Sequence, residues 1–63
     1  MGMMTFDEAV DEMFLGKFVA RHGWLDKDQF AYAVHHVGKG VQVVNANALD
    51  ADEDDWYVVG WFQ

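Results

Sequence analysis

Five of the six residues from Asp50 to Asp55 are carboxylates, and they run directly into the aromatic stretch Trp56-Tyr57-Val58-Val59-Gly60-Trp61-Phe62. Carboxylates so closely spaced repel one another, and the chain has only four Lys and Arg to set against eleven Asp and Glu. A net charge of −7 destabilises a compact state, so the acid reads as a surface for a partner. The partner this chemistry suits is a basic surface, and the commonest such surface in a cell is one that binds nucleic acid. Asp50, Asp52, Glu53, Asp54 and Asp55 are the contact residues expected from the run. Asp7, Asp11 and Glu12 belong to a second acidic segment that could merge with it, and Tyr57 and Trp61 are candidate apolar anchors.

Other chemistries fail on residue type or spacing. The chain has no Ser and no Cys, so a serine triad, a thiolate nucleophile and a disulfide framework are excluded. Asp50, Asp52 and Asp54 imitate the start of a calcium loop. Its sixth position, however, is Asp55 instead of Gly, and its twelfth is Trp61 instead of Glu. His35 and His36 are adjacent, so on a strand they point to opposite faces and cannot chelate one ion. Gly38-Lys39-Gly40 is too short to cradle a phosphate and suits a turn. No catalytic residue, metal site or cofactor is expected, and the chain reads as a non-enzyme.

The elements that must carry these residues follow from pattern. Sixty-three residues allow one small domain, 1–63, in which residues 1–3 read as a candidate expression remnant. Aromatics make up 16% of the chain, enough to build a compact core. Thr5-Phe6-Asp7-Glu8 is a capping box, followed by Phe6, Ala9, Val10, Met13 and Phe14 on one helical face and Gly16 as a stop. This predicts a helix over 6–15. Lys17 to Arg21 alternates as a strand. Residues 29–37 fit either a strand or a helix capped by Asp26, with the strand favoured. A turn at 38–40, a strand over 41–45, an acidic loop over 45–55 and a closing strand over 56–62 complete the reading. The fold class is α+β, with one N-terminal amphipathic helix packed on a small antiparallel sheet of three to five strands. The core is expected to hold Phe6, Val10, Met13, Phe14, Val19, Val43, Val44 and Val58. Trp24 and Trp61 are assigned to the sheet face that the helix leaves open. Absence of cysteine and of a recognisable leader suits the cytoplasm of a bacterial host, and no apolar run reaches the roughly 20 residues of a membrane span.

Two stretches resemble a known family. Thr5-Phe6-Asp7-Glu8-Ala9, Gly16-Lys17-Phe18-Val19-Ala20-Arg21 and Gly23-Trp24 are similar to the N-terminal pattern of the phage Thoeris anti-defence domain. Asp54-Asp55-Trp56-Tyr57-Val58-Val59 resembles its closing acid-Trp strand. The middle of the chain is shorter than in that family. The resemblance implies a sponge that binds cyclic ADP-ribose derivatives or related nucleotides between subunits. It implies Phe6 and Trp24 as stacking residues; for a phosphate the only nearby cations in the sequence are Arg21 and Lys17. In size and charge the chain is also similar to type I anti-CRISPR proteins, including inhibitors of the I-C system. That likeness implies an acidic DNA mimic that blocks a DNA-binding subunit of the Cascade complex, with no direct nucleic-acid or membrane binding. The mimic is the reading the charge favours. The sponge, built on a homo-oligomer, is its alternative, and a third is an antitoxin-like or regulatory protein that binds a basic partner. Monomer and small homo-oligomer both stay open.

Overall fold

The structure is a computed structural model that describes residues 3–62. Met1 and Gly2, two of the three residues read as a remnant, lie outside it. Thr5 caps the helix α1 (Phe6–Phe14), accepting from the Glu8 amide at 3.3 Å, while the Glu8 carboxylate accepts from the Thr5 amide at 3.0 Å. Two of the amides that a helix start leaves orphaned are thus satisfied reciprocally. Leu15 is the C-cap, and Gly16 follows at φ +87°, where a side chain would be strained.

Four strands follow: β1 (Lys17–Arg21), β2 (Tyr32–His36), β3 (Gly40–Val44) and β4 (Trp56–Trp61). The ambiguous segment is therefore a strand. The order is α1, β1, β2, β3, a short 3-10 turn at Asp50–Asp52, then β4. The strands form two antiparallel pairs, β1 with β4 and β2 with β3. A single bridge, Val19 to Ala31, joins the pairs through bonds of 3.0 and 2.7 Å. The expected single sheet is thus two ribbons stitched at one point. Within the first ribbon the register slips by one residue: Phe18 faces Gly60 while Val19 faces Val58, leaving Val59 as the extra residue of a bulge.

The core forms where the helix lies on these strands. Ala9, Met13, Val19, Ala20, Trp24, Ala31 and Trp56 are buried. Phe6, Val10, Val43 and Val58 pack against them half-buried, and Val44 is also half-buried. Three of the buried residues are alanines, and their size lets the helix and ribbons approach closely. The other sheet face carries a second cluster, because Phe30 and Tyr32 flank the inward Ala31 and so point away from it. Phe18 lies 4.9 Å from Phe30, 6.0 Å from Tyr32 and 4.6 Å from Phe62, ring centre to ring centre. Phe18, Phe30, Tyr32 and Phe62 therefore occupy the face assigned to Trp24 and Trp61. Trp24 is buried on the helix side instead.

Phe14 corrects the expected core. It is 58% exposed, because the inward row of α1 runs through Ala9 and Met13, and Phe14 sits a further ~100° round the helix. Phe14→Ala is accordingly expected to cost less than about 1 kcal/mol, well below the 3–5 kcal/mol of a buried Phe. A loss of unfolding free energy in urea that exceeds this would return Phe14 to the core.

Candidate functional site

The acidic loop does not present all its carboxylates to solvent. Arg21, at the end of β1, faces Trp56 at the start of β4, and its guanidinium lies beneath the loop that precedes β4. Arg21 Nε donates to Asp55 Oδ1 at 2.7 Å and Nη2 to Asp55 Oδ2 at 3.2 Å, a bidentate pair. Nη1 donates to Asp50 Oδ1 at 2.7 Å, and Nη2 also lies 3.4 Å from a Glu53 oxygen. The planar fork of Arg suits this geometry.

The two inner carboxylates have further donors. Asp50, itself buried, accepts from Trp24 Nε1 at 3.1 Å and from the Asn47 amide at 3.1 Å. Asp55 accepts from the Gly23 amide at 2.9 Å. The hydrogen bond from Arg21 holds the Asp55 carboxyl below the usual range, against an opposing effect of burial. For Asp50 burial is the largest influence and pushes the carboxyl up, but the donors from Arg21, Asn47 and Trp24 together outweigh it and leave it lowered. Arg21 is raised, chiefly by its hydrogen bond to Asp55. The assembly is a latch that ties the loop at 47–55 onto β1 and over Trp24.

This redistributes the residues expected to meet a basic partner. Asp50 and Asp55 are turned inward onto Arg21, so the five-carboxylate surface is corrected to Asp52, Glu53 and Asp54, with Glu53 reaching back towards the guanidinium. Asp7 and Asp11 are exposed on α1, while Glu12 is half-buried and paired with Lys17. Tyr57 is half-buried with its ring stacked on His22 at 4.3 Å. Trp61 is exposed at the far end of β4, opposite Lys17.

The residues expected to hold a nucleotide are also placed. Phe6 lies 5.3 Å from Trp56, which lies 5.4 Å from Trp24, ring centre to ring centre. Trp24 is only 8% exposed, and Arg21 is consumed by its carboxylates. Phe6, Trp56 and Trp24 thus lie along one line, half-buried at Phe6 and buried at both Trp, without an open face on Trp24. Trp56 Nε1 is buried and has no acceptor among the described residues. Among those residues no group of three His, Cys, Asp or Glu gathers to hold a metal, and no helix is long and apolar enough to cross a membrane.

A groove of about 310 Å³ opens elsewhere, lined by Met13, Phe14, Gly16, Ala33, His35 and Val41. Its origin is geometric. The nine-residue helix spans only ~14 Å and ends at Gly16. The inward row of β2 runs Ala31, Ala33, His35, and passes from buried through half-buried to exposed as the helix runs out. Val41, the register partner of His35, is 47% exposed. Reading the sequence alone did not pick out this groove. The usable signal was a helix too short to cover a hairpin that extends five residues on each strand.

The model of the Thoeris anti-defense 2-like domain matches residues 4–59 of the chain. Searches of curated proteins and of solved structures returned no match.

Proposed function

The chain belongs to the Thoeris anti-defense 2-like family, and from that premise we propose that it is a non-catalytic phage anti-defence protein that sequesters a nucleotide signal. The family match carries the reading, since it spans α1, all of β1 to β3 and most of β4. A sponge needs no catalytic group. It needs a site that binds, and binding one signal molecule removes it from the host's response by mass action.

A second reading is favoured by one observation: Asp52, Glu53 and Asp54 form three consecutive exposed carboxylates. Such a patch could compete with DNA for a basic groove of a type I CRISPR effector. It is narrower than the charge run implies, because Asp50 and Asp55 serve the latch. An antitoxin-like role would rely on the same patch. The proposed setting is the cytoplasm of an infected bacterium.

One variant separates the readings. Asp52→Asn/Glu53→Gln/Asp54→Asn removes exposed charge and leaves the latch carboxylates in place. If the protein is a sponge, calorimetry should show cyclic ADP-ribose isomers binding both wild type and variant. The variant should bind somewhat more tightly, because a weaker negative field repels a diphosphate less. If it is a charge mimic, the variant should lose the ability to displace target DNA from the effector in a gel shift, and wild-type displacement should weaken with salt. Absence of heat with every cyclic ADP-ribose isomer and cyclic oligonucleotide removes the sponge. Equal displacement by wild type and variant removes the mimic.

A further inference from the structure

The negative charge of this chain is segregated. Its acids fall at 7–12, at 26 and 28, and at 50–55, and none lies between Gln29 and Leu49. The β2–β3 hairpin is therefore an acid-free pole, carrying His35, His36 and Lys39. The cations elsewhere are engaged: Lys17 by Glu12, Arg21 by Asp50, Glu53 and Asp55, and Lys27 by the carbonyls of His22 and Trp24. Among the described residues Lys39 is the one Lys or Arg whose side chain meets no acceptor. An anionic ligand attracted to this chain has its least repulsive approach at the hairpin.

The groove lies between that pole and the end of α1. Its wall combines an exposed aromatic ring, Phe14, an exposed aliphatic side chain, Val41, and the imidazole of His35, over a floor of Met13, Gly16 and Ala33. Its volume falls at the small end of the range for ligand pockets, and its mainly apolar wall with one polar group is their usual composition. Lys39 sits in the turn just past the pair His36 and Gly40, two residues from the groove's Val41. Glu12, next to the groove's Met13 in the chain, is occupied by Lys17. His36 points to the other face, where it bonds Gln42 at 3.0 Å. Aromatic ring, apolar floor and unpaired cation suit a flat base joined to a phosphate, and suit neither alone.

We propose that the groove between the end of α1 and the β2–β3 hairpin binds a phosphate-bearing purine nucleotide, its base against Phe14 and Val41 and its phosphate towards His35 and Lys39. This rests on the nucleotide-binding reading above but assigns the ligand to a site other than the Phe6, Trp56 and Trp24 line. Trp24 is closed in the fold and Arg21 is already saturated, so that line offers no open ring and no available charge.

The test is calorimetry and amide-shift mapping with cyclic ADP-ribose, AMP, adenosine and inorganic pyrophosphate, on wild type, Phe14→Ala, Val41→Glu and Lys39→Ala. The three substitutions are at exposed positions, and circular dichroism checks that each variant folds. Cyclic ADP-ribose or AMP should bind the wild type more tightly than adenosine or pyrophosphate, with shifts confined to residues 13–17 and 33–41. Phe14→Ala and Lys39→Ala should each weaken binding about tenfold, the loss of one stacking or one charge-assisted contact. Val41→Glu should abolish it. Wild-type binding that all three variants retain overturns the groove and leaves the sponge standing. A wild type that takes up none of these probes overturns the groove, and the sponge falls with it only if the other cyclic ADP-ribose isomers and the cyclic oligonucleotides also give no heat.

Discussion

Arg21→Ala is expected to unfold the domain at room temperature. The side chain is largely buried and holds two partly or fully buried carboxylates, Asp50 and Asp55. Removing one partner from such a pair costs about 3–5 kcal/mol, because the remaining charge is left desolvated. A 63-residue domain has roughly 3–9 kcal/mol in total at ordinary per-residue stability. Arg21→Lys keeps the charge but loses the bidentate fork, so it should fold with a lower melting temperature. Arg21→Ala/Asp50→Asn should recover part of the loss, because the uncompensated carboxylate is gone. An unchanged melting temperature for Arg21→Ala would mean that the latch contributes nothing.

The same latch fixes the sign of the pH dependence. Asp50 and Asp55 have folded values below their unfolded ones. Their contribution is present above the unfolded carboxylate value, about 3.9, and is lost as pH falls through the lower folded values. Arg21 is raised, so its contribution is intact below its unfolded value and is lost only at strongly alkaline pH. Wild-type stability should therefore hold at mildly acidic pH and fall below about pH 4.

What the sequence disclosed follows the range of the interactions involved. Thr5, Glu8 and Gly16 act within a few residues, so α1 and its ends were legible from spacing alone. The hairpin was legible because Gly38 and Gly40, at φ +79° and +80°, mark its turn. The rotation of α1 was not. Met13 and Phe14 both fit a broad apolar stripe, and only the small inward Ala9 decides which of them turns in. The acid run misled because a local reading sums its repulsions. The compensating Arg21 lies 29 residues before Asp50 and 34 before Asp55, and only pairing of β1 with β4 brings them together. Trp24 misled for a related reason: the acceptor for its indole N–H is Asp50, a residue assigned to solvent. Ala20 and Ala31 were missed because they contribute close approach and little area.

Trp56→Ala is expected to be as severe as loss of Arg21, by a different mechanism. Trp56 is fully buried and is the ring on which Phe6 of the helix and Trp24 of the β1–β2 connection converge. Its backbone also pairs with Met4, at 2.8 and 3.1 Å, fixing the chain that enters α1. Truncating a buried Trp costs about 3–5 kcal/mol in lost burial and residual cavity, again comparable with the whole stability of the domain. Trp61→Ala is the internal control. That side chain is 63% exposed on the same strand, so its removal should shift stability by about 0.5 kcal/mol or less. Near-ultraviolet circular dichroism should show Trp56→Ala losing its aromatic signal at 25 °C, while Trp61→Ala retains a cooperative melt. If the two variants melt together, the chain closes on Trp61 instead. The line from Phe6 through Trp56 to Trp24 would then open, and nothing would displace the ligand from it to the hairpin groove.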